Sequence, residues 1–409
     1  MDRRTFIGHT GAAIGASTAP LARPVSGNRR GQNPEIIVVG AGAIGGWTAF
    51  NLALKGAKVT LVEAYAPGNA RATSGGHTRQ IRADYGPREE YTRWAIESFD
   101  RWRHWEQQWG ETLLVPTGRL NLVDALRMPG LTERRERLAR HGVETEILNH
   151  DELAYRYPQI NVEDLAGGFF EPNAAAIRAR LACRAVVEGF RDLGGGVVIG
   201  KAQPGLSSGG ILESVRVNDS YLSADSVVFA CGPWLRTMFP ELLGSVIETP
   251  RRDVFYFGTP SGDSAYSPPA LPNFNDGTHP YYGFGSIDGY GVKICPVGER
   301  NSFDPETDER LVSPFQTRRA YEYVEHRFPG LRNQPLVQTR VCQLENTDDE
   351  HFIVDHHPDW NNVWIAGGGS GHAFKLGPVL GDYVAGRVLG QPRDVELDEQ
   401  FRLNTDQGN

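Results

Sequence analysis

The sequence predicts an α/β protein in which a parallel sheet is assembled from separated parts of the chain and carries an inserted antiparallel α+β domain. Three observations predict it. Residues 35–63 read as strand, glycine turn, helix and strand. Apolar runs that end in glycine recur far downstream, at 222–232 and 362–371. Between them lie short apolar runs separated by Pro/Gly-rich loops, the pattern of an antiparallel sheet.

The opening unit is the most informative. Ile36, Ile37, Val38 and Val39 form a buried parallel strand; Gly40, Gly42, Ile44 and Gly45 lie in the turn and first helical residues. The helix continues through Ala49, Leu52 and Leu54, and a second β-branched run over 59–62 ends on Glu63. Gly40 permits the sharp turn, Gly42 lets backbone N–H groups approach a pyrophosphate, and Gly45 lets helix and strand pack closely. The helix N-terminus adds positive dipole. Glu63, about twenty residues past the turn, accepts hydrogen bonds from ribose hydroxyls and disfavours a 2′-phosphate, which leaves FAD or NAD. The first domain is therefore read as Rossmann-like.

At 409 residues the chain is long enough for two domains. A net charge of −8 argues against nucleic acid or an anionic membrane surface as partner. No apolar run reaches the roughly 18–20 residues of a spanning helix. Cys183, Cys231, Cys295 and Cys342 are spaced neither as a disulfide framework nor as a zinc site. Near the N-terminus, Arg3-Arg4 followed by Phe6-Ile7 and a mild Gly/Ala run resemble a twin-arginine export signal, with cleavage after Ala22 and a linker to Asn33. This route carries folded proteins, so a cofactor is loaded before export. The expectation is a periplasmic protein delivered by the twin-arginine machinery, or a cytoplasmic one if the segment is an ordinary basic tail.

Further along, the loop 71–82 is rich in Gly, Ser and Arg, as a loop lying along a cofactor would be, with Ser74 and Thr78 as candidate contacts. A helix is expected over 88–109, with Trp94, Trp102, Trp105 and Trp109 on a packed face. A strand over 117–123 and a charged surface helix over 131–141 follow. Residues 151–157 and 167–172 read as a return toward the first domain. A helix over 179–193, a strand over 197–199 and the buried strand ending at Gly232 come next; Gly232 would lie beneath the adenosine side, with Cys231 in the core. Strands are expected over 251–256, 281–284 and 291–295, with 261–279 the most loop-like stretch and a helix over 315–328. The strand 362–366 runs into a second glycine turn with Gly369 and Gly371, ahead of a helix from Lys375 past Asp382. Asp355-His356-His357 reads as a turn before Pro358, and no metal site is expected. The expected organisation is a signal and linker over 1–33 and a nucleotide-binding domain over 34–90, 151–240 and 339–395. A substrate domain over 91–150 and 241–338 is inserted in it, and 396–409 is a tail.

Three further blocks carry a resemblance. They are His77-Thr78-Arg79-Gln80-Ile81-Arg82-Ala83-Asp84-Tyr85-Gly86; Tyr282-Gly283-Phe284 through Gly291-Val292-Lys293; and Arg340-Val341-Cys342 through Gly369-Ser370-Gly371-His372-Ala373-Phe374-Lys375. In order and spacing the chain resembles, over about 35–395, the flavin amine oxidases typified by monomeric sarcosine oxidase. N-methyltryptophan, pipecolate and fructosyl-amino-acid oxidases belong to the same group. The resemblance implies FAD as the cofactor and an FAD-binding domain with an inserted antiparallel substrate domain. It places Cys342 where that family tethers its flavin by a thioether, and Arg82 and Lys375 where it grips the substrate carboxylate, Lys375 also bordering the cofactor. Lys293 falls at the lysine that activates dioxygen, Tyr282 at an active-site tyrosine and Arg79 at a residue against the flavin ring. Four departures stand out. Leu344 replaces an aromatic residue and Val297 replaces a histidine. Asp288 and Tyr290 occupy a segment where the small-substrate members have small residues. Leu344 lies beside Cys342; the other three departures imply a rebuilt substrate pocket.

The implied activity is FAD-dependent oxidation of the C–N bond of an amino acid or N-alkyl amino acid. Hydride passes to the flavin, the imine hydrolyses, and O2 reoxidises the flavin to give H2O2. Two alternatives stay open: an FAD-dependent dehydrogenase of an amine or 2-hydroxy acid with another acceptor, and a non-catalytic dinucleotide-binding module.

Overall fold

The computed structural model describes residues 33–298, 302–392 and 394–404. The export segment read at 1–33 lies outside them apart from Asn33. No described helix is long and apolar enough to cross a membrane.

A six-stranded sheet runs in the order Ile353–His357, Trp360–Gly367, Ser226–Phe229, Glu35–Val39, Lys58–Glu63, Gly196–Ile199. All its pairs are parallel except the first. Its central strands are buried on both faces, as the continuous apolar runs required. Ile36 and Val38 join a core with Trp47, Leu61 and Leu376, while Ile37 and Val39 join another with Val62, Val227 and Ile365. The helix Ala43–Leu54 packs in the first of these against the last long helix, Ala373–Val388. The tryptophan-rich helix Glu89–Trp109 completes the layer, with Trp47 and Trp102 edge to face at 5.1 Å.

An eight-stranded sheet runs Leu336–Gln343, Arg251–Phe257, Val292–Pro296, Tyr281–Phe284, Asn273–Asp276, Arg119–Val123, Gly167–Glu171, Glu146–Asn149. It is antiparallel except where Asn273–Asp276 meets Arg119–Val123. Two expectations fail here. Gly167–Glu171 is not a return to the first sheet; it pairs with Arg119–Val123 and Glu146–Asn149, placing Phe170 in this sheet's core. The glycines and Pro172 read as a turn because the run is too short to show alternation. Asn273–Asp276 is a strand within the stretch expected to be loop. Its polar residues hid it, yet Asp276 is buried because Arg327 Nε (2.8 Å) and Tyr323 OH (3.1 Å) donate to it. A small third sheet, Thr78–Ile81, Ala175–Arg178 and Leu114–Pro116, holds the cofactor-facing loop expected at 71–82. Asp355-His356-His357 belongs to the strand Ile353–His357 and extends further than the expected turn. His356 packs on Trp364 and His357 on Trp360, so the three do not converge.

Candidate active site

The glycine turn is shaped by its neighbours. Gly40 has φ +103°, and a Cβ there would lie 2.4 Å from the Ala230 carbonyl; one at Gly45 would lie 1.9 Å from the Gly40 carbonyl. Both glycines are demanded by the fold. Gly42 is different: a Cβ there would meet nothing closer than Ser74 Oγ at 3.4 Å. The protein leaves room at Gly42 that only a ligand uses. Ser74 Oγ accepts from the Ala43 N–H at the helix start (3.1 Å). Glu63 accepts from the N–H groups of Ala41 (2.9 Å) and Tyr65 (3.1 Å), which fix its carboxylate at the strand end while burial raises its pKa.

These residues open onto a long groove. Gly40, Gly42, Ile44, Glu63 and Ser74 line one end of it. Gly232, Glu345, Gly369 and Gly371 line another part, and Arg79 and Phe374 border it. The two expected glycine turns therefore meet around one cavity, and Cys231, expected in the core, lines it as well. A second cavity, of about 590 Å³, adjoins the first: Arg79, Gly371, His372 and Phe374 line both. Arg82, Tyr282, Lys293, Lys375 and Thr78 line this second space.

Its charges are buried. Lys293 is 4 % exposed, donates to Thr78 O (3.0 Å) and Oγ1 (3.3 Å), and lies 4.5 Å from the Phe284 ring centroid; burial lowers its pKa to about 8. Lys375 donates to Tyr85 OH (3.0 Å) and His372 O (3.3 Å). Burial, with Arg82 and Arg119 nearby, holds it well below the usual lysine range. Arg82 packs over Tyr85, 4.4 Å from its ring centroid, and donates to Asp84 O. Trp102 Nε1 donates to Lys375 O (2.9 Å), so the tryptophan helix holds the lysine's backbone. Burial pushes the Tyr282 phenol well above its usual range.

A family model described as FAD dependent oxidoreductase matches residues 35–387. The chain belongs to the FAD-dependent oxidoreductase family. Monomeric sarcosine oxidase from a Bacillus strain is 31 % identical over 365 residues, covering 87 % of this chain and 92 % of that protein. Peroxisomal sarcosine oxidase of Mus musculus is 31 % identical over 384 residues, covering 90 % and 95 %. Among solved structures, L-proline dehydrogenase from P. horikoshii shares the fold, with a TM-score of 0.78 at 20 % identity over 91 % of this chain and 97 % of that one.

As a member of the FAD-dependent oxidoreductase family, the protein has a groove whose residues fit the cofactor. The room left at Gly42, two helix N-termini and the acid at the strand end suit a pyrophosphate and a ribose. Three residues expected at the substrate pocket, Asp288, Tyr290 and Val297, do not line it. Asp288 and Tyr290 do not line the second cavity; Asp288 is paired with Arg178 (2.7 Å) and His77 (3.1 Å), and Tyr290 stacks on His77 in a separate pocket. Cys342 lines neither cavity, but its Sγ lies 3.8 Å from the carbonyl of Thr73, which lines the groove. Val297 is 39 % exposed and also absent from the cavity lining.

Asp84 and Arg119 also line the second cavity, and sequence reading missed them as charged partners. Burial would raise the Asp84 carboxyl, but Arg134 and Arg119 hold it well below the carboxylate range. The available signal was alternation: Arg119 and Asn121 share one face of a strand whose other face is Leu120 and Leu122. Among the described residues, Asp164, His279 and His326 are the group spaced as metal ligands could be. Arg327 already pairs with Asp164 at 2.9 Å, supplying the cation there.

Proposed function

We propose that this protein oxidises the C–N bond of an amino acid or N-alkyl amino acid and that O2 is its electron acceptor. The observation that carries the reading is the second cavity itself. Arg82 and Lys375 both lie against Tyr85, 4.4 and 5.2 Å from its ring centroid, and Lys293 lies in the same space that opens onto the FAD groove. Bound FAD supplies the two-electron acceptor, so that the substrate leaves as an imine that water hydrolyses and O2 becomes H2O2. The chain's own residues supply the rest. Arg82 offers a two-pronged donor to a carboxylate and Lys375 a point charge, and together they orient the amine end toward the junction with the groove. Tyr282 shapes the cavity wall. Lys293 keeps positive charge in a buried site, which favours formation of an anion from O2. The sarcosine oxidases it resembles support a secondary amine with a nearby carboxylate as substrate.

Oxygen uptake and peroxide yield with a panel of amino acids and N-methyl amino acids test this reading. Peroxide formed in step with amine consumed supports it. Turnover only with an artificial acceptor, without peroxide, would favour the dehydrogenase reading, which the same cavity without Lys293 chemistry would serve.

Two finer points belong to the same proposal. Cys342 would hold the flavin by a thioether to its methyl group. The bond forms with loss of the thiol proton, one methyl hydrogen and two electrons, which O2 takes up as peroxide. Acid precipitation of the protein tests it: colour kept in the pellet and lost in Cys342→Ala supports the tether, and colour released from the unaltered protein refutes it. The N-terminal segment directs export through the twin-arginine route, an inference from Arg3-Arg4 that cell fractionation with Arg3→Lys and Arg4→Lys together tests.

A further inference from the structure

Arg119 is 6 % exposed and lines the substrate cavity. Its ion pair is poor. Nη1 reaches Asp84 Oδ2 at 3.3 Å, but the same oxygen already accepts from Arg134 Nε at 2.8 Å, while Asp84 Oδ1 accepts from the Gly86 N–H at 3.2 Å. Arg119 Nε is buried with no hydrogen-bond partner. Arg119, Glu171 and Asn273 lie directly opposite one another on adjacent strands, so their side chains share one face of the sheet. Glu171 Oε2 and both side-chain polar atoms of Asn273 on that face also lack partners, while Glu171 Oε1 accepts from the Ala83 N–H (2.6 Å). Buried polar atoms left unpaired are costly, and a cluster of them on one face beside a cavity points to a polar ligand.

The charge balance says which kind. Arg82, Arg119, Arg134 and Lys375 face Asp84 and Glu171, leaving two positive charges in surplus when all are ionised; Glu350, which also lines the cavity, is paired with Arg88 (3.3 Å). The surplus is felt: burial and Arg82 lower Arg119 to about 9, and burial with Arg82 and Arg119 lowers Lys375. One substrate carboxylate between Arg82 and Lys375 answers one of the two. A guanidinium in this position, with an unused N–H, is matched by a second carboxylate.

We propose that the preferred substrate is a dicarboxylic amino acid or N-alkyl amino acid, its second carboxylate, on the side chain or the nitrogen substituent, held by Arg119. The inference rests on the amino-acid reading above and narrows it.

Calorimetric titration of the holoenzyme with non-reacting acids tests the site without turnover. Malonate, succinate and glutarate are compared with acetate and propionate. The best dicarboxylate should bind at least about tenfold more tightly than either monocarboxylate, the order of gain that a charge-assisted hydrogen bond gives. Arg119→Gln should bring the dicarboxylates down to the affinity of acetate in the same variant, and Arg119→Lys should restore part of the difference. Equal binding of mono- and dicarboxylates by the unaltered protein, which needs no variant to fold, overturns the proposal. So does a dicarboxylate preference that survives Arg119→Gln. Turnover separates the two readings. If neutral N-methyl amino acids are oxidised and dicarboxylates have no advantage in binding, the oxidase reading stands and this one falls. If no amino acid reduces the flavin but Arg119-dependent dicarboxylate binding persists, the anion site stands and the amine reading falls.

Discussion

Replacing Glu345 by Gln should stabilise the holoenzyme at neutral and alkaline pH and leave it unchanged in acid. Glu345 is 6 % exposed in the FAD groove, and its side chain accepts one hydrogen bond, from the Gly368 N–H at 2.6 Å. Burial pushes its carboxyl up to about 8 from an ordinary 4.5, opposed only by that bond. The folded protein therefore holds a proton that the unfolded chain has already lost. Stability falls as pH rises from the unfolded value to the folded one, at about 1.4 kcal/mol per pH unit. Between 4.5 and about 8 the loss reaches roughly 5 kcal/mol as a ceiling, and it is complete above the upper value. Gln keeps an acceptor for Gly368 and cannot ionise, so the variant escapes the loss. Urea unfolding of both proteins from about pH 5 to about pH 8 reads the difference directly, since all other titrations cancel. The difference should be small at the acid end and grow steadily with pH. A difference that does not change with pH would refute the reasoning.

Three further outcomes follow from the same geometry. Gly42→Ala should fold normally yet hold FAD weakly, because its Cβ meets only Ser74 Oγ at 3.4 Å, whereas Gly45→Ala, clashing at 1.9 Å with a carbonyl, should unfold more readily; thermal melts with and without added FAD distinguish them. Lys293→Met should slow reoxidation of the reduced enzyme by about tenfold or more with little effect on its reduction, and reoxidation in the unaltered protein should weaken as pH rises through about 8, where Lys293 loses its proton; stopped-flow measurement of each half-reaction checks both. Arg82→Ala should raise KM for carboxylate substrates by roughly tenfold with a smaller change in kcat, as steady-state kinetics would read.

The first sheet was legible because its strands are buried on both faces and its turn needs Gly40 and Gly45 for steric reasons internal to the chain. Those constraints act over a few residues, and composition records them. The cavity was legible through Arg82, Lys293 and Lys375, three cations in blocks whose spacing could be compared. What escaped was the face of the second sheet. Asn273–Asp276 looked like a loop because its polarity is compensated by Tyr323 and Arg327, some fifty residues away. Arg119 looked like the end of an ordinary strand because its significance depends on Asp84 and Glu171, brought together only by folding. Asp288 and Tyr290 were misplaced for the converse reason: a change of residue type near a site in sequence lies, in space, against His77 and Arg178.

Anaerobic reduction of the flavin by an N-methyl amino acid, set beside reduction by the amide of the same compound, tests the central claim most directly. The acid should bleach the flavin rapidly and the amide far more slowly, because only the acid engages Arg82 and Lys375. Equal rates for the two, or no reduction by any amino acid, would contradict a carboxylate-directed oxidation of the C–N bond.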